Sequence, residues 1–337
     1  MSFWLGHGVN VSHWLSQSPR RGAERRAWFT EADVERIAST GFDHVRFPVD
    51  EEQLWDEEEG RREPEAFELL EQALGWCERA ELRAVVDLHI VRSHYFNAAG
   101  RPLFVDPAEQ DRFCALWRDL SKALAHWPLD RVAYELLNEP VARDPEDWNQ
   151  LAARTLAELR VYEPERVVAI DSNGFADPRA FSDLRVPADE HLILSFHFYD
   201  PLLFTHYRAP WALPGTYQGP VDYPGELVSQ EEWDAFSPEM RFACRGERVF
   251  AAADIERVLA PALALAEETG LPLWCGDLGA LGTTPEPARE RWYRDVLAAL
   301  ARHRIPWTVW DYKGEFGVFD AEGRPTLVHQ FLNEALT

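Results

Sequence analysis

The chain has 337 residues, 46% of them hydrophobic, enough to bury a large core as two ordinary domains or as one large α/β barrel. Fifty-eight acidic residues against 34 basic ones leave a formal charge of -24, which opposes binding to nucleic acid or an anionic membrane surface and favours a neutral or small partner. The opening run MSFWLGHGVN lacks the basic start and long apolar stretch of a secretory signal or membrane span, so the chain as it stands is expected in the cytoplasm, or secreted if a signal has been trimmed.

Strand-length apolar runs alternate with helix-period segments along the whole chain. The strands are predicted in FWLGHGVNV, FDHVRFP, LRAVVDLH, RVAYELLN, RVVAIDS, HLILSFHFY, LPLWCGD and IPWTVWDY, and helices at 31–40, 64–80, 107–126, 145–162, 253–269 and 286–303. Gly41 and Gly270 fall where helix C-caps belong. Such a succession of βα units predicts an α/β fold of the (β/α)8 TIM-barrel type, a single domain over 1–337. From Asp200 to about Phe250 the period is lost and Pro, Gly and aromatic residues are frequent. This long β6–α6 loop is expected to form a wall of the binding cleft, with one or more of Trp211, Tyr217 and Trp233 against the ligand. Cys77, Cys114, Cys244 and Cys275 are scattered and read as buried thiols, and no His/Cys/Asp cluster has metal-ligand spacing, so neither a metal nor a cofactor is expected.

In a barrel the chemistry gathers at the C-terminal strand ends. There the sequence places Arg46, Asp87, His89, Asn138, Glu139, Asp171, Ser172, Asn173, His197, Tyr199, Asp277, Trp310 and Asp311. Each alone has a structural explanation, but so many convergent polar groups at one rim are costly unless paired or used. In YELLNEPV, Glu139 follows an apolar strand and precedes Pro140. With Asp277 across the barrel it supplies the two acids of glycosidic bond cleavage, one to protonate the leaving oxygen and one to meet the sugar carbon. Asn138 is suited to a hydroxyl beside the reacting carbon and Trp310 to the floor of a sugar ring.

These residues resemble glycoside hydrolase family 5, the cellulase-like retaining enzymes, from GVNVSHW near the start to WTVWDYKGEFG near the end. The resemblance implies Glu139 as acid/base and Asp277 at the nucleophile position, with Arg46, His89, Asn138, His197, Tyr199 and Trp310 around the substrate. His13 and Trp14 sit where similar enzymes contact a neighbouring sugar, and His94, Tyr95 and His206 are weaker candidates of that kind. The implied partner is a β-linked glucan, mannan or glycoside. The family pattern on strand seven is Gly-Glu-Phe-Gly, whereas this chain has Gly276, Asp277, Leu278 and Gly279. The shorter acid withdraws the carboxylate by about 1 Å, between a retaining separation of about 5–5.5 Å and an inverting one of about 6.5–9.5 Å. KGEFG at 313–317 spells the strand-seven motif on the loop after strand eight, where the match is read as accidental, and Lys313 is expected in an ordinary ion pair with neighbouring acids. Two rivals remain: a carbohydrate-binding protein of the same fold that has lost hydrolysis with the Glu, and an unrelated barrel lyase or aldolase.

Overall fold

The computed structural model describes residues 3–56 and 60–336, with side chains through Leu332. Eight parallel strands pair in chain order: β1 (His7–Asn10), β2 (His44–Asp50), β3 (Arg83–Ile90), β4 (Val132–Glu135), β5 (Val168–Asp171), β6 (Leu192–Phe198), β7 (Leu273–Leu278) and β8 (Trp307–Val309). The sheet closes where His7 of β1 registers with Trp307 of β8, which makes a single (β/α)8 barrel. Each strand falls on one of the predicted runs, with β2, β3 and β7 extending one or two residues beyond its C-terminal end.

Helix starts follow local chemistry. Helix α1 (Glu31–Thr40) opens on a reciprocal Thr30–Asp33 capping box and ends at Gly41, whose φ of 101° is left-handed. An acid followed by proline begins each of α2 (Pro64–Arg79), α3 (Pro107–Leu124) and α4 (Pro145–Arg160): the side chains of Glu63, Asp106 and Asp144 accept first-turn N–H groups. Helices α5 (Ala252–Thr269), α6 (Glu286–Arg302) and α7 (Leu327–Leu336) complete the outer ring. Between β5 and β6 the crossover is short, with a 3₁₀ turn at Pro178–Asp183 that packs under α5. No helix among the described residues is long and apolar enough to cross a membrane.

The barrel interior is layered, because alternate residues of a strand face the same side. Val85, Ala133, Ala169, Ile193 and Trp274, with Leu5, form an apolar plug at the N-terminal end. Two residues further along their strands stand Asp87, Glu135, Asp171 and Ser195, all fully buried. This polar layer is compensated from β2 by Arg46, which lies 2.6 and 3.0 Å from the two Glu135 oxygens and 2.9 Å from Asp87 Oδ2. A cavity lined by residues of the C-terminal strand ends opens above it.

The segment between β6 and α5 is an excursion of short pieces: helices at Leu202–Thr205, Gln230–Ala235 and Pro238–Ala243, a 3₁₀ turn at Leu213–Thr216, and an antiparallel ribbon pairing Gly225–Glu226 with Val249–Phe250. It is pinned at both ends. Arg179 and Arg245 each reach Asp200 at 2.9 Å, and Tyr223 donates to Asp295 of α6 at 2.7 Å.

Candidate active site

Glu139 follows β4 in a left-handed backbone, φ 47°, which is uncommon for a residue with a Cβ. Its N–H donates to Asp171 Oδ2 at 3.2 Å, and its carbonyl faces His94 Nε2 at 3.2 Å. The side chain turns back over the barrel, where Oε1 lies 2.9 Å from His197 Nδ1. Burial works against a charge on His197, but the Glu139 hydrogen bond and the Asp171 charge outweigh it and raise its pKa.

Asp277 comes from β7, whose register slips at Gly276: Phe196 pairs with Cys275, and His197 pairs with Asp277. The extra residue is a bulge, a device that re-aims a side chain at a strand end. Asp277 then stands 3.4 Å from Asn10 Nδ2 and 3.9 Å from His197 Nδ1. Burial pushes its carboxyl well above the usual range; Arg46 pulls it down and the Glu139 charge pushes it further up. Because one imidazole nitrogen faces both acids at 2.9 and 3.9 Å, the two facing carboxyl oxygens are no more than ~7 Å apart, a bound compatible with a glycosidase acid pair.

The floor is rigid. His89 stacks on Trp310 with rings 5.7 Å apart and 5° from parallel. Burial and the Arg46 charge hold the His89 pKa well below its usual range, which favours the neutral imidazole. Its Nδ1 lies 2.6 Å from Asp87 Oδ2 and its Nε2 2.8 Å from Gln17 Nε2. Asn138 is anchored by Arg46 Nη2 at 2.9 Å, and Tyr199 packs edge-on against His206 and Phe316.

The cavity above this floor has a volume of about 790 Å³. Its lining brings together Glu139, Asp277, His89, Asn138, His197, Tyr199, Trp310 and His13 from the sequence-predicted set. Two expectations are corrected. Arg46 is not at a strand end: it is the third residue of β2, completely buried, and holds Asn138, Glu135 and Asn10 from below instead of lining the cavity. Trp14 points away into the core, packed on Phe29 and Phe47 and 1% exposed, with Nε1 donating to Arg25 O.

From the excursion Trp211 reaches the cavity, 47% exposed. Tyr217 and Trp233 instead cluster with Phe236, at ring distances of 5.2 and 5.5 Å. Tyr95 and His206 line the cavity, whereas His94 is buried beneath it. Glu315 lines the cavity too, although its motif is out of place, and Lys313 pairs with Asp33 at 2.6 Å instead of with the neighbouring acids. Sequence reasoning missed Gln17, Phe96, Phe175 and Phe316. Of these only Phe316 stood inside a noted motif; the others lie on loops without a pattern that marks them. The four cysteines are buried and free.

The sequence model of the cellulase family, glycosyl hydrolase family 5, matches residues 8–316. Endoglucanase C of Acetivibrio thermocellus is 31% identical over 324 residues, covering 94% of this chain and 94% of that protein. Cellodextrinase A of Ruminococcus flavefaciens is 27% identical, with 88% and 82% covered. Among solved structures, a hyperthermophilic endo-β-1,4-glucanase in complex with substrate has a TM-score of 0.79 at 20% identity, covering 98% and 97% of the two chains. Thermotoga maritima Cel5A in complex with cellobiose has a TM-score of 0.77 at 23% identity, covering 99% and 97%. At those identities the structural likeness speaks for the fold.

Proposed function

The chain belongs to the cellulase family, glycosyl hydrolase family 5, and is a glycosidase; from that premise we propose that it cleaves β-linked glucan chains by a two-carboxylate, retaining mechanism, with its whole length serving as the catalytic domain. The observation that carries this reading is the pair Glu139 and Asp277, facing one nitrogen of His197 at the floor of an open cleft beside Trp310. The relatives named as endoglucanase and cellodextrinase favour a β-glucan as the substrate class.

Glu139 acts as the acid. Its proton passes to the glycosidic oxygen as the bond to the anomeric carbon breaks, and the alcohol half of the chain leaves. Asp277 supplies the electron pair that forms a glycosyl ester at that carbon. Glu139, now a carboxylate, takes a proton from water; the hydroxide oxygen bonds to the carbon, the ester breaks, and Asp277 is regenerated. Two inversions give net retention. Arg46 holds Asn138 toward the sugar hydroxyl next to the reacting carbon, and its charge favours the ionised Asp277 that attack requires. Trp310, clamped by His89, offers its face to a sugar ring.

A second reading rests on Asp277 itself, whose long contacts to Asn10 and His197 also suit a sugar-binding protein with little turnover. Assays on aryl β-cellobiosides and soluble β-glucans, with binding followed in parallel, separate the two. Hydrolysis with retained configuration, lost by about 10²-fold or more in Glu139→Gln on substrates with poor leaving groups, supports the enzyme. Binding without hydrolysis in the wild type supports the alternative.

A further inference from the structure

Asp171 ends β5 directly below Glu139, is fully buried and does not line the cavity. Its main chain is fixed from outside the barrel, where Trp148 of α4 donates to its carbonyl at 2.8 Å. Its carboxyl faces Glu139 by two routes. One is direct: Oδ2 accepts the Glu139 N–H at 3.2 Å, just where that residue adopts its left-handed backbone. The other runs through His197, whose Nε2 faces the same Asp171 oxygen at 3.8 Å while Nδ1 contacts Glu139 Oε1 at 2.9 Å. His197 Nε2 and Asp171 Oδ1 have no hydrogen-bond partner among the described residues. Burial and the adjacent Glu135 charge push the Asp171 carboxyl well above its usual range. Glu135, Asp171 and His197 also bring ligand-type atoms within 4.8 Å of one another. That cluster is no cation site, because Arg46 already occupies both Glu135 oxygens and its charge repels a second cation.

We propose that Asp171 is a positioning residue for the proton donor: through the Glu139 amide and through His197 it sets the backbone and the carboxyl orientation from which Glu139 delivers its proton. The inference rests on Glu139 being that donor. Turned about its ring axis, His197 would present carbon to one acid or the other, and the Asp171 carboxyl at its far nitrogen opposes that turn. A carboxyl misplaced by about 1 Å is enough to cost ~10²-fold in a step that depends on it. Only steps that need the proton should suffer.

The test is kcat/KM, which reports bond cleavage, on two β-cellobiosides of the full chain: a dinitrophenyl one, whose leaving group departs without a proton, and an alkyl one, whose leaving group needs it. Asp171→Ala should lower the alkyl substrate by at least about tenfold more than the dinitrophenyl one. Asp171→Asn keeps an oxygen for the Glu139 N–H but replaces the carboxyl facing His197 with an amide, and should show the same split to a smaller degree. Melting curves identify any variant that fails to fold, in which case the other decides. Equal loss on both substrates, or no loss on either, overturns the inference. Glu139→Gln is measured alongside. If it shows the split and neither Asp171 variant does, the inference alone fails; if Glu139→Gln shows none, the assignment of the donor fails with it.

Discussion

In the proposed mechanism Asp277 is the residue on which the rate turns. Its contacts to Asn10 at 3.4 Å and to His197 at 3.9 Å are long, while the Tyr199 hydroxyl hydrogen-bonds its carboxyl. With Asp277 as the proposed nucleophile, one more methylene carries the carboxylate further into the cavity it lines, so Asp277→Glu is expected to raise turnover on an activated β-cellobioside, by up to ~100-fold, with retained configuration. A dead Glu variant beside an active wild type would show that the bulge at Gly276 has already rebuilt the site around the shorter acid, and an inverted product would show that a water fits in the gap. A different acid makes stability depend on pH. Asp50 at the end of β2 is 2% exposed and accepts the Gln17 N–H at 2.7 Å, which ties down the loop carrying Gln17 and His13. Burial raises its pKa to about 7, with Ser16 and the Gln17 amide opposing. In the unfolded chain this carboxyl ionises near 3.8, so between that pH and about 7 the folded state binds more protons and stability falls as pH rises, levelling above the folded value. Asp50→Asn removes this dependence while keeping an acceptor for Gln17. Its Tm relative to wild type should therefore rise by at least about 2 °C from about pH 5 to about pH 8, and an unchanged difference would refute the assignment.

At the scale of elements, the excursion between β6 and α5 divides its aromatic residues between two tasks. Trp211 stands half-exposed in the cavity, while Tyr217 is tied by its hydroxyl to Glu232 at 2.5 Å and packs with Trp233 on Phe236. An aromatic face is worth about 0.5–1.5 kcal/mol against a ring it stacks on. Trp211→Ala should accordingly raise KM for longer β-glucan oligosaccharides about three- to tenfold with kcat little changed. Tyr217→Ala should lower Tm and leave KM alone. The opposite pattern would move the sugar contact to the other end of the excursion. Composition marks the segment as a wall, but no periodicity tells which ring faces out, because that depends on how its short helices and 3₁₀ turn are pinned at Asp200 and Asp295.

The whole molecule carries a formal charge of -24. Such a surface repels polyanions over about a Debye length, ~10 Å at 0.1 M salt. Added salt should therefore raise kcat/KM on a carboxymethylated glucan severalfold and leave it nearly unchanged on a neutral one of equal length. Equal responses would place the charge too far from the cleft to matter. Inside, the same molecule manages charge differently: Arg46 faces both Asp87 and Glu135 at hydrogen-bond distance. Losing it would leave buried acids unpaired, so its role reaches beyond the site it supports.

The sequence by itself determined the order and kind of the elements, the barrel they close and the two acids at its mouth. These are properties of single strands and helices: hydrophobic period, caps, and a carboxyl placed just past an apolar run such as YELL. Parallel closure then carries chain order around a ring, so residues at the ends of β4 and β7 meet without any further information. The tertiary structure alone decided which polar and aromatic side chains face the cleft. Arg46 sits one layer down because strand stagger, invisible in a single run, sets its depth in the barrel. Trp14 turns to Phe29 and Phe47, and Gln17 reaches His89 across 72 positions of chain. Asp171 reads as one more strand-end acid until β4, β5 and β6 are laid side by side and its carboxyl proves to lie beneath Glu139 and beside His197. Such contacts join loops and strands whose spacing follows from packing volume and register, and neither is written in a local pattern.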